Sequence, residues 1–423
     1  VADESLLSDD LLRQLVAVGH VDVLVGLPTL NNAATVMHVV RAAQAGLARD
    51  FPRARTLIFN SDGGSTDGTP ALVRDVTAAT DSTDTVTASH PLRTTHRITT
   101  PYGLPGKEHA LRMIFAVADL LSADAVVVLH PDVTSITPDW IAALGRPVRD
   151  GAVDFMAPVY QRASTDVPLI TQLVRPLIRG VYGWRVREPL AGEFGCSGRF
   201  AAHCLEQQVW NSELAREGID LWVTAEALAR GFRPGQAVLG PRTVSRTVPP
   251  PALPDVFQQL VSSAFGCLER HADEWLARET AAAVPTFGQV SSCPDGALPD
   301  AVEMARGFAR DVAALHPVLA TILRPATLEG VTTAAASASG GRPAFPSDLW
   351  ASTVFEFALA HHRAVIAREH ITQVLLPLYL GRTAAFLYER GQQGPGTGDD
   401  AIEALGQAFE AARPQAAAQW KKA

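Results

Sequence analysis

Six short stretches carry side chains whose types and spacing suit work on charged ligands. In SDGGSTDGTP (residues 61–70), Asp62 and Asp67 sit among glycines and hydroxyls. A loop of this composition serves either as a plain turn or as a grip on a nucleotide. In HPDVTS (130–135), Asp132 follows an apolar run. It either caps the next turn or holds a divalent cation against a diphosphate, since hard carboxylate oxygens suit Mg²⁺ or Mn²⁺. GLPGKEHALR (103–112) puts Lys107 after Gly103 and Gly106. It is not a P-loop, because the glycines are too close and Glu108 stands where Ser or Thr belongs. A lysine opening a helix opposes the helix dipole unless an anion or carboxylate lies beside it; a solvated lysine is the other reading. YQRASTD (160–166) offers Arg162, whose planar fork suits a carboxylate or phosphate, or else a surface turn. PLAGEFGCSGRF (189–200) is Gly-rich around Glu193, which reads as buried, and GIDLWVTAEAL (218–228) places Asp220 at the start of an apolar helix, where N-capping is the alternative.

These residues need elements to hold them. Residues 21–30, 54–62, 124–132 and 153–160 read as short, apolar, buried strands. Residues 33–50, 69–80 and 107–123 read as helices between them. Alternation of this kind means βαβ units and a mostly parallel sheet, with ligands outside the carboxyl ends of the strands. Asp62, Asp132 and Arg162 each fall just past a strand and are expected to converge on one sheet edge. From about Pro254 the pattern turns helical, in 256–278 and 349–391, with small-residue loops expected at 281–300 and 332–348 and a fraying tail after Gly391. The expected division is residues 1–250, an α/β domain, and residues 251–423, a mainly helical region.

Composition sets the bounds. The chain has 423 residues, 47% hydrophobic and 19% charged, enough to bury a sizeable core. A net charge of −8 argues against a nucleic-acid partner. The four cysteines lack CxxC spacing, which suggests neither a zinc site nor a disulfide framework and points to a reducing cytoplasm. No apolar run reaches membrane-spanning length, and the acidic, amphipathic opening is unlike a signal peptide. His361 and His362 are adjacent on a helix, cannot share a face, and read as packing or surface residues. The large apolar helical half is compatible with a homodimer.

The order of the stretches resembles the nucleotide-sugar-dependent glycosyltransferases of the GT-A fold. LPTLNNAATVMHVVRAA, SDGGSTDGTPALV, GKEHALR and VVLHPDVTSITPDW follow one another as in family-2-type enzymes. ITPDW, QRASTD, EPLAGEF, GIDLWVT and GRPAFPSDLWASTVFEFALAHH together resemble the mannosylglycerate synthase family and, more loosely, the glucosyl- and mannosyl-phosphoglycerate synthases. The resemblance implies a metal-dependent hexosyltransferase that uses a nucleoside diphosphate sugar and a small carboxylate-bearing acceptor, with retention. It implies that Pro28 and Asn31 line the nucleotide pocket, that Asp62 reads the base and that Lys107 lies near the nucleotide. His130 takes the place of an aspartate that touches ribose. Asp132 matches the metal-holding aspartate of a DxD motif. Arg162, Thr165, Asp166 and Gly192 match positions around acceptor and sugar. Glu193 and Asp220 match carboxylates near the transferred sugar and, with Asp132, form the expected catalytic set. Asp67 is expected to cap the helix after it.

The chain departs from the pattern in three places. Gly63 replaces a second aspartate, His130 replaces the first aspartate of DxD, and GPRTVSRTVPPP (240–251) lacks the family's metal-binding histidine. Ser245 is the nearest candidate for that ligand. Arg242, Arg246 or Lys107 would then carry part of the charge. The alternatives are an inverting family-2-type transferase for polysaccharide or glycolipid, and a nucleotide-sugar binder without turnover.

Overall fold

The computed structural model describes residues 6–78, 84–89, 106–190, 192–245, 252–278, 282–291, 293, 301–393 and 398–422. In chain order the elements are α1 (Asp9–Val18), β1 (Val23–Thr29), α2 (Val36–Asp50), β2 (Thr56–Asp62), α3 (Thr69–Ala78), β3 (Asp84–Ser89), α4 (Lys107–Leu120), β4 (Ala125–Val128), α5 (Asp139–Arg149) and β5 (Phe155–Tyr160). A π-helix (Ile170–Val174) runs into α6 (Arg175–Tyr182). Then come β6 (Phe194–Ser197), α7 (Gly198–Leu205), α8 (Glu213–Ala229), β7 (Pro234–Gly240), α9 (Leu253–Arg270), α10 (Ala272–Leu276) and β8 (Thr286–Phe287). Five further helices follow: α11 (Ala301–Ile322), α12 (Pro325–Ser339), α13 (Ser347–Arg363), α14 (Arg368–Gln393) and α15 (Asp399–Trp420).

The chain forms two compact units. One comprises Val1–Gln161, Leu190–Pro251 and Val284–Val290; the other comprises Arg162–Pro189, Ala252–Ala283 and Ser291–Ala423. The helical unit thus includes residues 162–189, which a single cut near residue 250 would place elsewhere.

The first unit is built on a sheet of order β3-β2-β1-β4-β6-β5-β7-β8. All neighbours are parallel except β6, which runs antiparallel to both β4 and β5. This is the mostly parallel α/β class expected from the alternating pattern. Parallel strands buried on both faces need continuous apolar runs, and β1 is buried at all seven positions. Pro28 has no N–H to donate. It lies beyond the last β1–β4 pair, Gly26 with Val128, and keeps only its β2 partner Ser61. Val25, Leu27, Val127, Trp140, Ile141 and Leu144 are among the fully enclosed side chains of the core cluster. Gly195 lets α5 rest on β6, since a Cβ there would lie 2.2 Å from the Leu144 carbonyl oxygen.

The described residues of the second unit are mainly helical. Residues 332–348, expected as a loop, belong mostly to α12 and to the start of α13. Alanine has the highest helix propensity, and Val331, Ala334, Ala335 and Ala338 bury a face too small to register as an apolar stripe. The expected fraying tail is instead α15, which buries Ile402, Leu405, Phe409, Arg413 and Trp420. The apolar run at 349–391 is two helices, broken where Ala364 takes a left-handed φ of 49° and closes α13. Arg179 on α6 is held by Glu403 at 2.7 Å and Glu410 at 2.6 Å, both on α15. No helix among the described residues is long and apolar enough to cross a membrane.

Candidate active site

The carboxyl ends of β1, β2 and β4 carry two connected polar loops. Asp62, the last residue of β2, is buried. Its Oδ2 accepts the N–H groups of Gly64 (2.9 Å) and Ser65 (2.8 Å). Its Oδ1 accepts the hydroxyls of Ser65 (2.6 Å) and Thr29 (3.1 Å). Gly64 and Gly68 hold φ near +90°, which this tight path requires. Asp67 does what its position predicts. Its Oδ1 accepts the N–H (3.0 Å) and hydroxyl (2.6 Å) of Thr69 at the start of α3, and its Oδ2 accepts the Ala33 N–H at 2.9 Å. Burial would raise its pKa, but these hydrogen bonds outweigh it and lower the carboxyl below its ordinary value. Asn31, exposed and left-handed at φ 55°, ties the loops together: its N–H donates to Ser65 Oγ (2.8 Å) and its Oδ1 accepts the Thr66 N–H (2.9 Å).

Asp132 is half-buried, four residues past β4. One oxygen, Oδ1, accepts from Asn32 Nδ2 at 2.7 Å and from the Thr35 hydroxyl at 2.8 Å. Its backbone N–H donates to His130 Nδ1 at 3.2 Å. Its carbonyl accepts the Ser245 N–H at 2.9 Å, and Val133 bridges Val244 in antiparallel fashion. The strand-end aspartate and the serine proposed in place of a missing histidine therefore lie side by side along the backbone. Gly103 and Arg246 lie outside the described residues.

Behind this edge is a set of buried charges. Glu193 is fully enclosed and accepts from Arg242 twice, Nε at 3.0 Å and Nη2 at 2.8 Å, and from the Tyr160 hydroxyl. Burial pushes its pKa up, but Arg242 first, then His130 and Tyr160, outweigh this and hold it below the usual range. The Arg242 guanidinium also lies over the Tyr160 ring, 5.5 Å from its centroid. Lys107, the first residue of α4, is only 2% exposed, and its Nζ lies 2.6 Å from Asp220 Oδ1 and 3.4 Å from the Gly192 carbonyl. This is the carboxylate that a lysine at a helix start calls for, and the solvated reading does not hold. Asp220 has its pKa raised, first by burial and also by Glu193, with Lys107 and Arg242 opposing.

The span Glu213–Ala229 is two helices joined at Gly218, whose backbone leaves the helical region at φ −145° and ψ 34°. Ser212 caps the first, and Asp220, two residues past the kink, stands at the start of the second, apolar one as expected; its carboxylate meets Lys107. A Cβ on Gly192 would meet Arg242 Nη2 at 3.2 Å and His130 Cδ2 at 3.4 Å, so this glycine lets the chain pass between the charged groups. The first unit thus brings together Lys107, His130, Gly192, Glu193, Asp220 and Arg242. Pro28 and Asp62 lie in the last residues of β1 and β2, and Asn31, Asp132 and Ser245 lie in the loops beyond the strand ends.

Arg162, Thr165 and Asp166 belong to the second unit. Arg162 pairs with Glu188, Thr165 is buried, and the exposed Asp166 accepts the Ala163 N–H at 3.2 Å. His361 contacts Glu269 at 3.2 Å, and His362 stacks on Trp420, so both serve packing.

No family model matches the chain, and no curated protein matches it. Among solved structures it is similar to glucosyl-3-phosphoglycerate synthase from Mycobacterium tuberculosis in complex with phosphoglyceric acid. That likeness has 20% identity over 63% of this chain and 84% of that one, with a TM-score of 0.41. It is also similar to mannosyl-3-phosphoglycerate synthase from Rubrobacter xylanophilus, at 19% identity over 68% and 85% of the chains and a TM-score of 0.40. A third is the mannosyltransferase PcManGT from Pyrobaculum calidifontis in complex with GDP-Man and Mn²⁺, at 18% identity over 86% of each chain and a TM-score of 0.43.

Sequence reading missed Asn32 and Thr35, the two side chains that hold Asp132. The clue was present in LPTLNNAATV: two neighbouring asparagines and a threonine at the turn between β1 and α2 supply amide and hydroxyl donors there. The pairing of Glu193 with Arg242, 49 residues apart, left no comparable local trace.

Proposed function

We propose that the chain is a nucleotide-sugar glycosyltransferase. It moves a mannosyl or glucosyl group from a nucleoside diphosphate sugar to a hydroxyl of a small hydroxy acid, such as D-glycerate or 3-phosphoglycerate, with retention. The observation that carries this reading is the state of Asp132. One carboxylate oxygen is tied to Asn32 and Thr35 at the carboxyl end of parallel strands, and Oδ2 takes no hydrogen bond from any described residue. That edge is where open α/β sheets bind ligands.

The donor set fits a hard divalent cation. Asp132 and Ser245 are the residues that would hold Mg²⁺ or Mn²⁺, with water and phosphate oxygens completing the shell as Mg²⁺ prefers. Among the described residues the one grouping of three acidic or imidazole ligands is His20, Asp22 and Asp124. Those residues precede β1 and β4, so they sit at the opposite end of the strands. When bound, the ion would neutralise charge on the departing diphosphate.

The rest falls to the chain's own groups. Glu193, held ionised by Arg242, and Asp220, paired with Lys107, give the site fixed dipoles to set against positive charge on the sugar ring. Neither is free to act as the base that an inverting path needs. This favours the retaining path, in which the bond from the anomeric carbon to the diphosphate breaks as the acceptor oxygen bonds on the same face. The acceptor proton passes to the departing diphosphate. Arg162 is our candidate for the acceptor carboxylate, which would compete with Glu188 for its fork. Asp62 remains the proposed base reader, a role that requires its carboxylate to exchange one of four internal hydrogen bonds for the base.

The test is release of nucleoside diphosphate. GDP-mannose, GDP-glucose, UDP-glucose and ADP-glucose are crossed with D-glycerate and 3-phosphoglycerate, in Mg²⁺, Mn²⁺ or chelator. Acceptor-dependent release with one donor is expected, abolished by chelator and reduced by about 10²–10³-fold in Asp132→Ala. Full turnover in Asp132→Ala removes the metal assignment. Nucleotide-sugar binding with no turnover for any pair replaces the transferase reading with a binder.

A further inference from the structure

Two buried side chains converge on one oxygen of Asp132. Asn32 Nδ2 donates to Oδ1 at 2.7 Å, and the Thr35 hydroxyl donates to the same atom at 2.8 Å. The Thr35 hydroxyl has one hydrogen, and its other acceptor, the Asn32 carbonyl, is farther away at 3.3 Å. The Asn32 amide has only one workable orientation. Its Oδ1 accepts the Leu30 N–H at 2.7 Å, so its Nδ2 is the end that faces Asp132. The reversed amide would set oxygen against oxygen at Asp132 and N–H against N–H at Leu30.

A second observation is how firmly Asn32 itself is anchored. Its N–H donates to Thr69 Oγ1 at 2.9 Å, and that hydroxyl donates to Asp67 Oδ1 at 2.6 Å. Its carbonyl accepts the N–H groups of Thr35 (3.0 Å) and Val36 (2.9 Å) at the start of α2. A run of hydrogen bonds thus leads from the Asp67 loop through Asn32 to Asp132, joining the turns that follow β1, β2 and β4. An aspartate that merely caps a turn takes its donors from N–H groups a few residues away. Asp132 takes its donors from side chains 100 and 97 positions earlier.

We infer that Asn32 and Thr35 are positioning residues that hold Oδ1 of Asp132 and thereby set Oδ2 as the oxygen offered to a divalent cation. The inference rests on the transferase reading of Asp132 and adds to it the two side chains that give the aspartate its aim. Two donors on one oxygen oppose rotation of the carboxylate, so the ligand is ordered before the ion arrives. They also keep Oδ1 occupied, which favours capture through a single oxygen and suits an ion that retains several waters. Outer partners of this kind govern metal affinity by about 10–100-fold.

The full chain is titrated with Mn²⁺ alone, without nucleotide, and free Mn²⁺ is read by electron paramagnetic resonance. Wild type is expected to show a saturable Mn²⁺ site that is lost in Asp132→Ala. Thr35→Val keeps the shape of the side chain and removes its hydroxyl; it is expected to bind Mn²⁺ about 10–100-fold more weakly. Thr35→Ser restores the donor and is expected to recover most of that loss. Asn32→Leu, which removes the amide, should weaken Mn²⁺ binding by a similar factor of about 10–100. Thermal unfolding in chelator establishes that each variant is folded, and the near-isosteric Thr35 pair carries the test if Asn32→Leu does not fold. Wild-type Mn²⁺ affinity in Thr35→Val or in Asn32→Leu overturns the assignment of that residue, provided that Asp132→Ala still abolishes the site. Equal weakening in Thr35→Val and Thr35→Ser also overturns it for Thr35, since that marks packing and not the hydroxyl. Equal Mn²⁺ binding in wild type and Asp132→Ala is a different failure: it removes the metal assignment of Asp132 itself, and this inference with it.

Discussion

The two units treat buried charge in different ways. In the first, Lys107 meets Asp220 at 2.6 Å and Arg242 meets Glu193 through two hydrogen bonds, so four enclosed charges form two neutral pairs. In the second, the buried Arg179 is shared between Glu403 and Glu410, both of which keep part of their surface in solvent. The pairs are complete as they stand: each ion's desolvation is offset by its neighbour, and removal of either member exposes the cost of the other. The partners of Arg179 stay partly hydrated, so less desolvation has to be offset there.

Four experiments break or sharpen this contrast. The largest effect is expected for Arg242→Met, which leaves Glu193 enclosed and unpaired; denaturant unfolding should show a loss of about 3–5 kcal/mol. Arg179→Met, the matching change in the other unit, should cost less because Glu403 and Glu410 can turn to solvent, and an equal loss at both positions would erase the distinction. Next, the double variant Arg242→Met/Glu193→Leu should recover a large part of the single-variant loss, measured as a coupling energy of at least about 1 kcal/mol. Additive losses would mean that the two groups do not act as a pair. Third, Asp62→Asn removes acceptor capacity from a buried carboxylate with four donors, and a loss of about 1–3 kcal/mol is expected. No change in stability would mean that the loop holds without it.

The smallest effect concerns Asp154, buried but paired with the exposed arginines Arg233 and Arg199. Burial would raise its carboxyl, but Arg233 and then Arg199 outweigh this and pull it from 3.8 to about 2. Its contribution is therefore present above pH 3.8 and is lost as pH falls toward 2. Asp154→Asn should lose stability at neutral pH, modestly because Arg233 and Arg199 are exposed, and the difference from wild type should shrink as pH falls through that window.

Much of the first unit was legible in the sequence. Buried parallel strands must be short apolar runs, and runs such as VLVGLPT and AVVV cannot be mistaken for surface segments. Asp132, Glu193 and Lys107 stood out because polar groups in such company need a reason. The antiparallel β6 was not legible, because four residues, FGCS, carry no mark of direction. Nor were the partners of the charged residues, since these are joined by the fold across 49 to 113 positions of chain. The helical unit was read least well. Its α12 buries alanines in place of a leucine stripe, and α15 begins after a Gly-rich approach that reads as the end of order.

One contact in the helical unit bears on how the chain is made. Arg179 on α6 is clasped by Glu403 and Glu410 of α15, and Gly180 next to it lies against Phe409 so closely that a Cβ would sit 2.9 Å from that side chain. The slot is formed by residues synthesised more than 200 positions before the helix that fills it. Until α15 has left the ribosome, a hydrophobic groove and an unanswered arginine stay open on the nascent chain. During translation the second unit therefore keeps apolar surface uncovered until its last helix emerges and closes the gap beside α6.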